Sequence, residues 1–184
     1  NNILVIMAYT DNIKSYSELS ENINRKYCEK NNYDFKVVKN FDVEGRALQW
    51  CKVKVVSENI KDYNYVIWID SDAIFHNHNI QLESFINKSN KDILVCDDIP
   101  NGGMINTGVM FFKNTSWCRR FLKNWWSINE KELEKYKTKH FHEQDVLKYY
   151  IKQNKYNINS HLEIFPVDAF NTNYPWNSSY NDDI

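Results

Sequence analysis

The sequence predicts an α/β fold built on a mostly parallel sheet flanked by helices, and three observations carry that expectation. The first is order: strand-like segments at 3–9, 33–38 and 65–69 alternate with amphipathic stretches. A strand–helix–strand–helix–strand order implies parallel strands joined by right-handed crossovers. The second is that the first and third runs are continuously apolar, as strands covered on both faces are. The third is size, since 184 residues with 42% hydrophobic content are enough for one domain with a real core.

Each element follows from its local pattern. Ile3 to Tyr9 is the opening strand. Ser15 and Glu18 have capping-box spacing, and Tyr16, Leu19, Ile23 and Tyr27 follow at helical spacing. A second helix carries Leu48, Cys51, Val55, Val56 and Ile60 on one face, and Tyr65 to Ile69 is the next strand. The second half is more mixed. Strands are expected at 92–96 and 107–113, separated by a loop at 99–103 that holds two of the four glycines and should be mobile. Trp117, Phe121, Trp125 and Ile128 mark the inner face of a helix. A further helix at 142–151 turns Val146, Tyr149 and Tyr150 inward, and segments 163–165 and 170–176 close the chain. No internal repeat or linker divides residues 1–184, which read as one domain.

The chemistry concentrates where the third strand ends, in Asp70-Ser71-Asp72. Alternation along a strand would turn both carboxylates to one side and Ser71 to the other. Like charges side by side repel unless a cation lies between them, and hard oxygens favour Mg²⁺ or Mn²⁺ over zinc. Open α/β sheets bind ligands beyond the carboxyl ends of their strands. The competing reading is an ordinary Asp-Ser-Asp turn. Ala73-Ile74-Phe75 continues the apolar character afterwards, which favours a metal site that holds a phosphate-bearing substrate.

Composition excludes other classes. A net charge of −1 without a basic cluster argues against nucleic acid and anionic membrane as partners. No apolar stretch reaches membrane-spanning length, and no signal peptide precedes Ile3. Cys28, Cys51, Cys96 and Cys118 lack zinc-site spacing, and Cys51 and Cys96 read as buried free thiols. Sequons at Asn87, Asn114 and Asn177 are compatible with a secretory setting. Six Trp and twelve Tyr exceed what the core needs and suit carbohydrate or nucleotide faces.

An ordered set of motifs resembles glycosyltransferase family 34, the α-galactosyl-, α-mannosyl- and xylosyltransferases. The set is Trp50-Cys51-Lys52, then the run from Val66 through Asp70-Ser71-Asp72 to Phe75, then Asn106-Thr107-Gly108 with the apolar strand after it, then His142-Glu143-Gln144-Asp145. The similarity extends from about residue 3 to Pro175. It implies the GT-A fold, a nucleotide-sugar donor, Mn²⁺ (or Mg²⁺), a glycan acceptor and retention at the anomeric carbon. UDP-sugars are the preferred donors and GDP-mannose the alternative.

By the same resemblance Asp70 and Asp72 bind the metal, with Ser71 between them. Ala8, Tyr9 and Thr10 cradle the nucleoside, Lys52 meets a phosphate, and Asn106, Thr107 and Gly108 line the sugar pocket. Glu143, Gln144 and Asp145 lie near the reacting carbon, with Asp145 and Glu143 as candidate nucleophiles and Gln144 orienting the sugar. Asn171, Tyr174 and Pro175 fit a late N-x-Y-P stretch.

The family's third metal ligand, a His beyond that stretch, has no counterpart before Ile184, so the domain is expected to lack a C-terminal tail. His140, His142 and His161 are internal stand-ins, and His76 and His78 read as a surface loop. Relatives sit in the Golgi lumen behind an anchor; without one the chain would be cytoplasmic. Two rivals remain: a haloacid-dehalogenase-like phosphatase with Asp70 as nucleophile, and a binding relic without turnover.

Overall fold

The computed structural model describes residues 2–98, 105–140 and 142–171. Strands β1 (Ile3–Ala8), β2 (Asp34–Val38), β3 (Tyr65–Ile69), β4 (Ile93–Asp97), β5 (Ile105–Lys113) and β6 (Leu162–Phe165) form one sheet in the order β2-β1-β3-β5-β4-β6. β5 pairs antiparallel with β3 and β4, and every other pairing is parallel. β5 therefore runs against its five companions.

Helices α1 (Lys14–Asn31), α2 (Cys51–Asn59), α3 (Glu83–Ile86), α4 (Ser116–Ser127) and α5 (His142–Lys152) cover the two faces. Alternate strand residues supply two cores, as a sheet buried on both sides requires. Leu4, Ile6, Val66, Trp68, Met110 and Phe112 pack with residues of α2, α4 and α5. Val5, Met7, Ile67, Ile69, Val109 and Phe111 pack with residues of α1 and α3. All four cysteines are free and buried, and burial pushes the Cys51 thiol up to about 12.

Three sequence expectations need correction. The capping box is absent: α1 starts from Ile13 without a side-chain cap, continuing a 3-10 turn at Asp11–Ile13, and Ser15 is exposed. The helix also buries a different face. Tyr16 and Leu19 are exposed, while Ser17, Ser20, Asn24, Tyr27 and Cys28 are buried. Small side chains along that stripe let the helix lie close to the strands, which an apolar-periodicity count does not register. In the second helical stretch Leu48 is likewise exposed, in a 3-10 turn ahead of α2, and Val53 and Lys52 take the inward positions.

Candidate active site

β3 delivers Asp70 at its carboxyl end, where its backbone N–H still donates to the Gly108 carbonyl across the β3–β5 ladder at 2.8 Å. The strand then stops. Ala73 N–H donates back to the Asp70 carbonyl at 3.1 Å, closing a turn over Ser71 and Asp72. Asp72 is thus placed by a turn and not by strand alternation, and the turn and the carboxylate pair coexist. Both aspartates line one cavity of about 670 Å³, together with Asn106, Gly108 and Asn171.

A β-bulge explains how β5 reaches that cavity. The β4–β5 register shifts between Leu94, opposite Phe111, and Cys96, opposite Asn106. Asn106 and Gly108 line the cavity, but so do Val109 and Phe111, so the alternation changes phase after Gly108. Bulges re-aim side chains in this way. The Asn106 side-chain carbonyl accepts from Gly108 N–H at 2.7 Å and from the Asn171 amide at 2.8 Å, and its amide donates to Asp98 at 2.8 Å.

Thr107, on the other side of the strand, belongs to a buried polar cluster on the α2–α5 face. Lys52, 4% exposed, places its ammonium 2.9 Å from Glu143 Oε1 and 3.3 Å from Asp70 Oδ1, and donates to the Thr107 carbonyl at 3.0 Å. Burial pulls the Lys52 pKa down, but the carboxylates of Asp70 and Glu143 outweigh it and hold the ammonium above the usual lysine range. The Thr107 hydroxyl lies within hydrogen-bond distance of Glu143 and Gln144, and Gln144 Oε1 accepts the Thr107 N–H at 3.0 Å. Trp125 Nε1–H donates to the Glu143 carbonyl, fixing the start of α5. The Trp68 indole N–H donates to Asp70 Oδ1 at 2.6 Å.

Asp70 is therefore shared between two environments. One oxygen is held by Lys52 and Trp68, and the other lies on the Gly108 side, where the cavity opens.

The structure brings some sequence-derived candidates together and leaves others apart. Asp70, Asp72, Asn106 and Gly108 meet at the cavity, with Ser71 half-buried in the turn. Lys52, Thr107, Glu143 and Gln144 meet behind it, and none of these lines it. Lys52, expected to meet a phosphate, is instead buried behind the cavity and is not part of its wall. Asp145 stands apart, 3.7 Å from Lys148.

Ala8 and Tyr9 are buried, and the Tyr9 hydroxyl donates to Glu21; Thr10 leads into the 3-10 turn before α1. His161 pairs with Asp92 and stacks on Trp117, away from the aspartates, while His142 lies buried at the start of α5. His76 lines the cavity. The 99–103 loop, Tyr174 and Pro175 lie outside the described residues.

Sequence reasoning missed Trp68 and Asn24. Trp68 is two residues before Asp70 in an extended run, a spacing that shares a face. Asn24 staples the loop after the turn, donating to the Ala73 carbonyl and accepting from Phe75 N–H.

The donor set fits an oxygen-preferring divalent ion. Asp70 and Asp72 offer hard carboxylate oxygens beside an opening. Gly108 keeps it clear, because a Cβ there would stand 2.9 Å from Asn106 Oδ1 and 3.4 Å from Asp70 Oδ2. Among the described residues no group of three or more His, Cys, Asp or Glu could hold a metal, so Asp70 and Asp72 are the acidic ligands that these residues offer.

The architecture recurs among solved glycosyltransferases and is the expected GT-A fold. A glycosyltransferase involved in glycosylating the major capsid of PBCV-1 superposes with a TM-score of 0.73 at 21% identity, over 90% of this chain and 82% of that one. The galactosyltransferase LgtC, bound to donor and acceptor sugar analogues, gives 0.53 at 16% identity, over 78% of this chain and 69% of that one. Drosophila beta-1,4-galactosyltransferase 7, in complex with manganese, UDP-Gal and xylobiose, gives 0.55 at 12%, over 94% of this chain and 67% of that one. At these identities the likeness is one of fold. No curated protein sequence matches the chain. Residues 24–179 match the family described as "Protein of unknown function, DUF273", and the chain belongs to that family.

Proposed function

We propose that this chain is a metal-dependent, retaining glycosyltransferase that moves a sugar from a nucleotide-diphosphate donor to a glycan hydroxyl. A UDP-sugar is the preferred donor, with GDP-mannose as the alternative. The observation that carries this is the cavity beyond β3, where Asp70 and Asp72 face Asn106, Gly108 and Asn171. The donor and acceptor analogues bound to LgtC, and the manganese and UDP-Gal bound to the Drosophila enzyme, support it as properties of those proteins. The motif resemblance to family 34 supports retention. The GT-A fold leaves the haloacid-dehalogenase-like alternative without support.

In this mechanism Asp70 and Asp72 would hold the cation, which would supply positive charge to stabilise the departing diphosphate. Lys52 and Trp68 fix Asp70 by its Oδ1, so its position does not depend on substrate. In the overall transfer the bond from the anomeric carbon to the diphosphate oxygen breaks, and its electron pair leaves with the nucleotide. The acceptor oxygen bonds to that carbon, and its proton passes to the leaving phosphate. Gln144 uses its carbonyl on Thr107 behind the cavity, so only its amide N–H groups remain to act on the sugar, and they would have to reach past Thr107 to do so. Glu143 is committed to Lys52, which leaves Asp145 as the freer of the two carboxylate candidates for a covalent route, although acting there would require it to leave Lys148 and swing toward the cavity.

Calorimetric titration with UDP and with GDP, each with Mn²⁺ and with EDTA, tests the reading. Metal-dependent binding of one nucleotide is expected, followed by its release when the matching sugar donor and a glycan acceptor are supplied. Failure of both nucleotides to bind would sink the proposal. Binding without turnover on any acceptor would leave a binding relic.

A further inference from the structure

The cavity has a second character beyond its carboxylate end. Away from Asp70 and Asp72 it is walled by Tyr27, Phe75, Leu82, Phe85, Phe111 and Phe170. These side chains pack as a preformed wall: Tyr27 and Phe75 stack at 4.0 Å, and Phe111 lies edge-on to Phe170 at 4.8 Å. The Tyr27 hydroxyl is already spent on the Ile80 carbonyl at 2.7 Å, and Asn24 pins the loop that carries Phe75. Ile74, 45% exposed, stands in the same lining. A concave apolar wall joined to a few convergent polar groups is the usual form of a small-molecule site.

Resting on the transferase reading above, we infer that this apolar arm seats a hydrocarbon aglycone on the acceptor, an alkyl or aryl group attached to the sugar whose hydroxyl receives the transferred residue. The alternative occupant is the donor's nucleobase. Beside the aromatic and leucine wall only His76 and Asn77, among the described residues, add polar side chains, so a base would leave much of its polar edge unpaired, which costs binding. A hydrocarbon has no such requirement and gains about fourfold in affinity for each methylene taken from water. The sugar end of such an acceptor falls beside Asp70, Asp72 and Asn171, where its hydroxyls meet polar groups.

The test pairs octyl with methyl glycosides of galactose, glucose and mannose, with the octyl compounds kept below their micelle concentration. Their binding to the full chain is measured by calorimetry, and their KM in transfer is measured with the donor that the nucleotide titration identifies. The octyl form is expected to bind at least about tenfold more tightly than the methyl form of the same sugar. Ile74→Asn and Phe85→Ala should cut that ratio several-fold, while Mn²⁺-dependent nucleotide affinity stays at the wild-type value and reports an intact site. Equal binding of octyl and methyl forms to the wild-type chain overturns the inference. Loss of nucleotide affinity in Ile74→Asn overturns it as well, by assigning the arm to the base. An octyl preference in a chain that binds no nucleotide sinks the transferase reading and leaves the arm a hydrocarbon site, no longer an acceptor subsite.

Discussion

Lys52 and Asp70 are joined at 3.3 Å across the interior, and the lysine ammonium is far more deeply buried than the carboxylate it holds. Glu143, 2.9 Å from the same nitrogen, supplies the second negative charge. The lysine is thus shared between two carboxylates from two different elements and ties the start of α5 to the end of β3. A pocket carboxylate held in this way needs no substrate to find its position, which is the purpose of preorganisation.

Removing that cation should be costly. Lys52→Met leaves Glu143 buried beside no positive charge, and breaking a buried pair costs about 3–5 kcal/mol. Thermal unfolding should drop by roughly 10 °C for a chain of this size. Adding Glu143→Gln in the same chain should recover most of the loss. A double variant no more stable than Lys52→Met alone would mean that the pairing is not what stabilises this region.

Asp70→Asn should keep the fold, because Asn retains the oxygen that accepts from Trp68 and Lys52. It should weaken Mn²⁺-assisted UDP binding by about tenfold or more, since one charge leaves the cation site. Calorimetry with and without EDTA checks this, and an unchanged metal-dependent affinity would count against the site.

Gly108→Ala places a methyl group 2.9 Å from Asn106 Oδ1 and 3.4 Å from Asp70 Oδ2. The Asn106 side chain must move, losing its bonds to Gly108 N–H and Asn171. Nucleotide affinity should fall by more than thermal stability does, a contrast that paired calorimetry and melting curves reveal.

Asp145→Asn should leave nucleotide binding intact and lower turnover, on the reading that its carboxylate acts at the anomeric carbon. Transfer at the wild-type rate would remove Asp145 from the mechanism.

Burial raises the thiols of Cys28, Cys51 and Cys96 from the ordinary 9.0 to about 12. In the unfolded chain they ionise near 9, so the unfolded state binds fewer protons once the pH passes that value. The stability contributed by these groups is complete below pH 9 and is lost as the pH rises toward 12. Denaturant midpoints at pH 8 and pH 10.5 should differ in that direction. In native protein at pH 8 the thiols should react with Ellman's reagent only after unfolding.

The succession of strands and helices along the chain, and the place of Asp70-Ser71-Asp72 at a strand end, were legible because continuous apolar runs and the residues that follow them depend only on neighbours in sequence. The buried face of α1 was not legible. Ser17, Ser20 and Asn24 are chosen for closeness to the sheet and for a staple to the loop at Ala73, and neither property shows in hydrophobic periodicity. Lys52 carried no local sign of burial either, since Asp70 and Glu143 reach it only through the fold. The phase change in β5 was equally hidden, because a bulge is a relation between two strands and not a property of one.

The reversal of β5 decides where this protein is free to vary. β4 leaves the sheet and β5 re-enters it at the same end at which β3 gives up Asp70. The two strand ends that the β4–β5 connection joins, Asp97 and Ile105, therefore lie opposite each other next to Asn106 of the cavity lining, while the ladder from Tyr65 opposite Lys113 to Ile69 opposite Val109 runs on from there. A lineage of such chains could lengthen or rewrite that connection, and with it the company the cavity keeps, without displacing a single carboxylate.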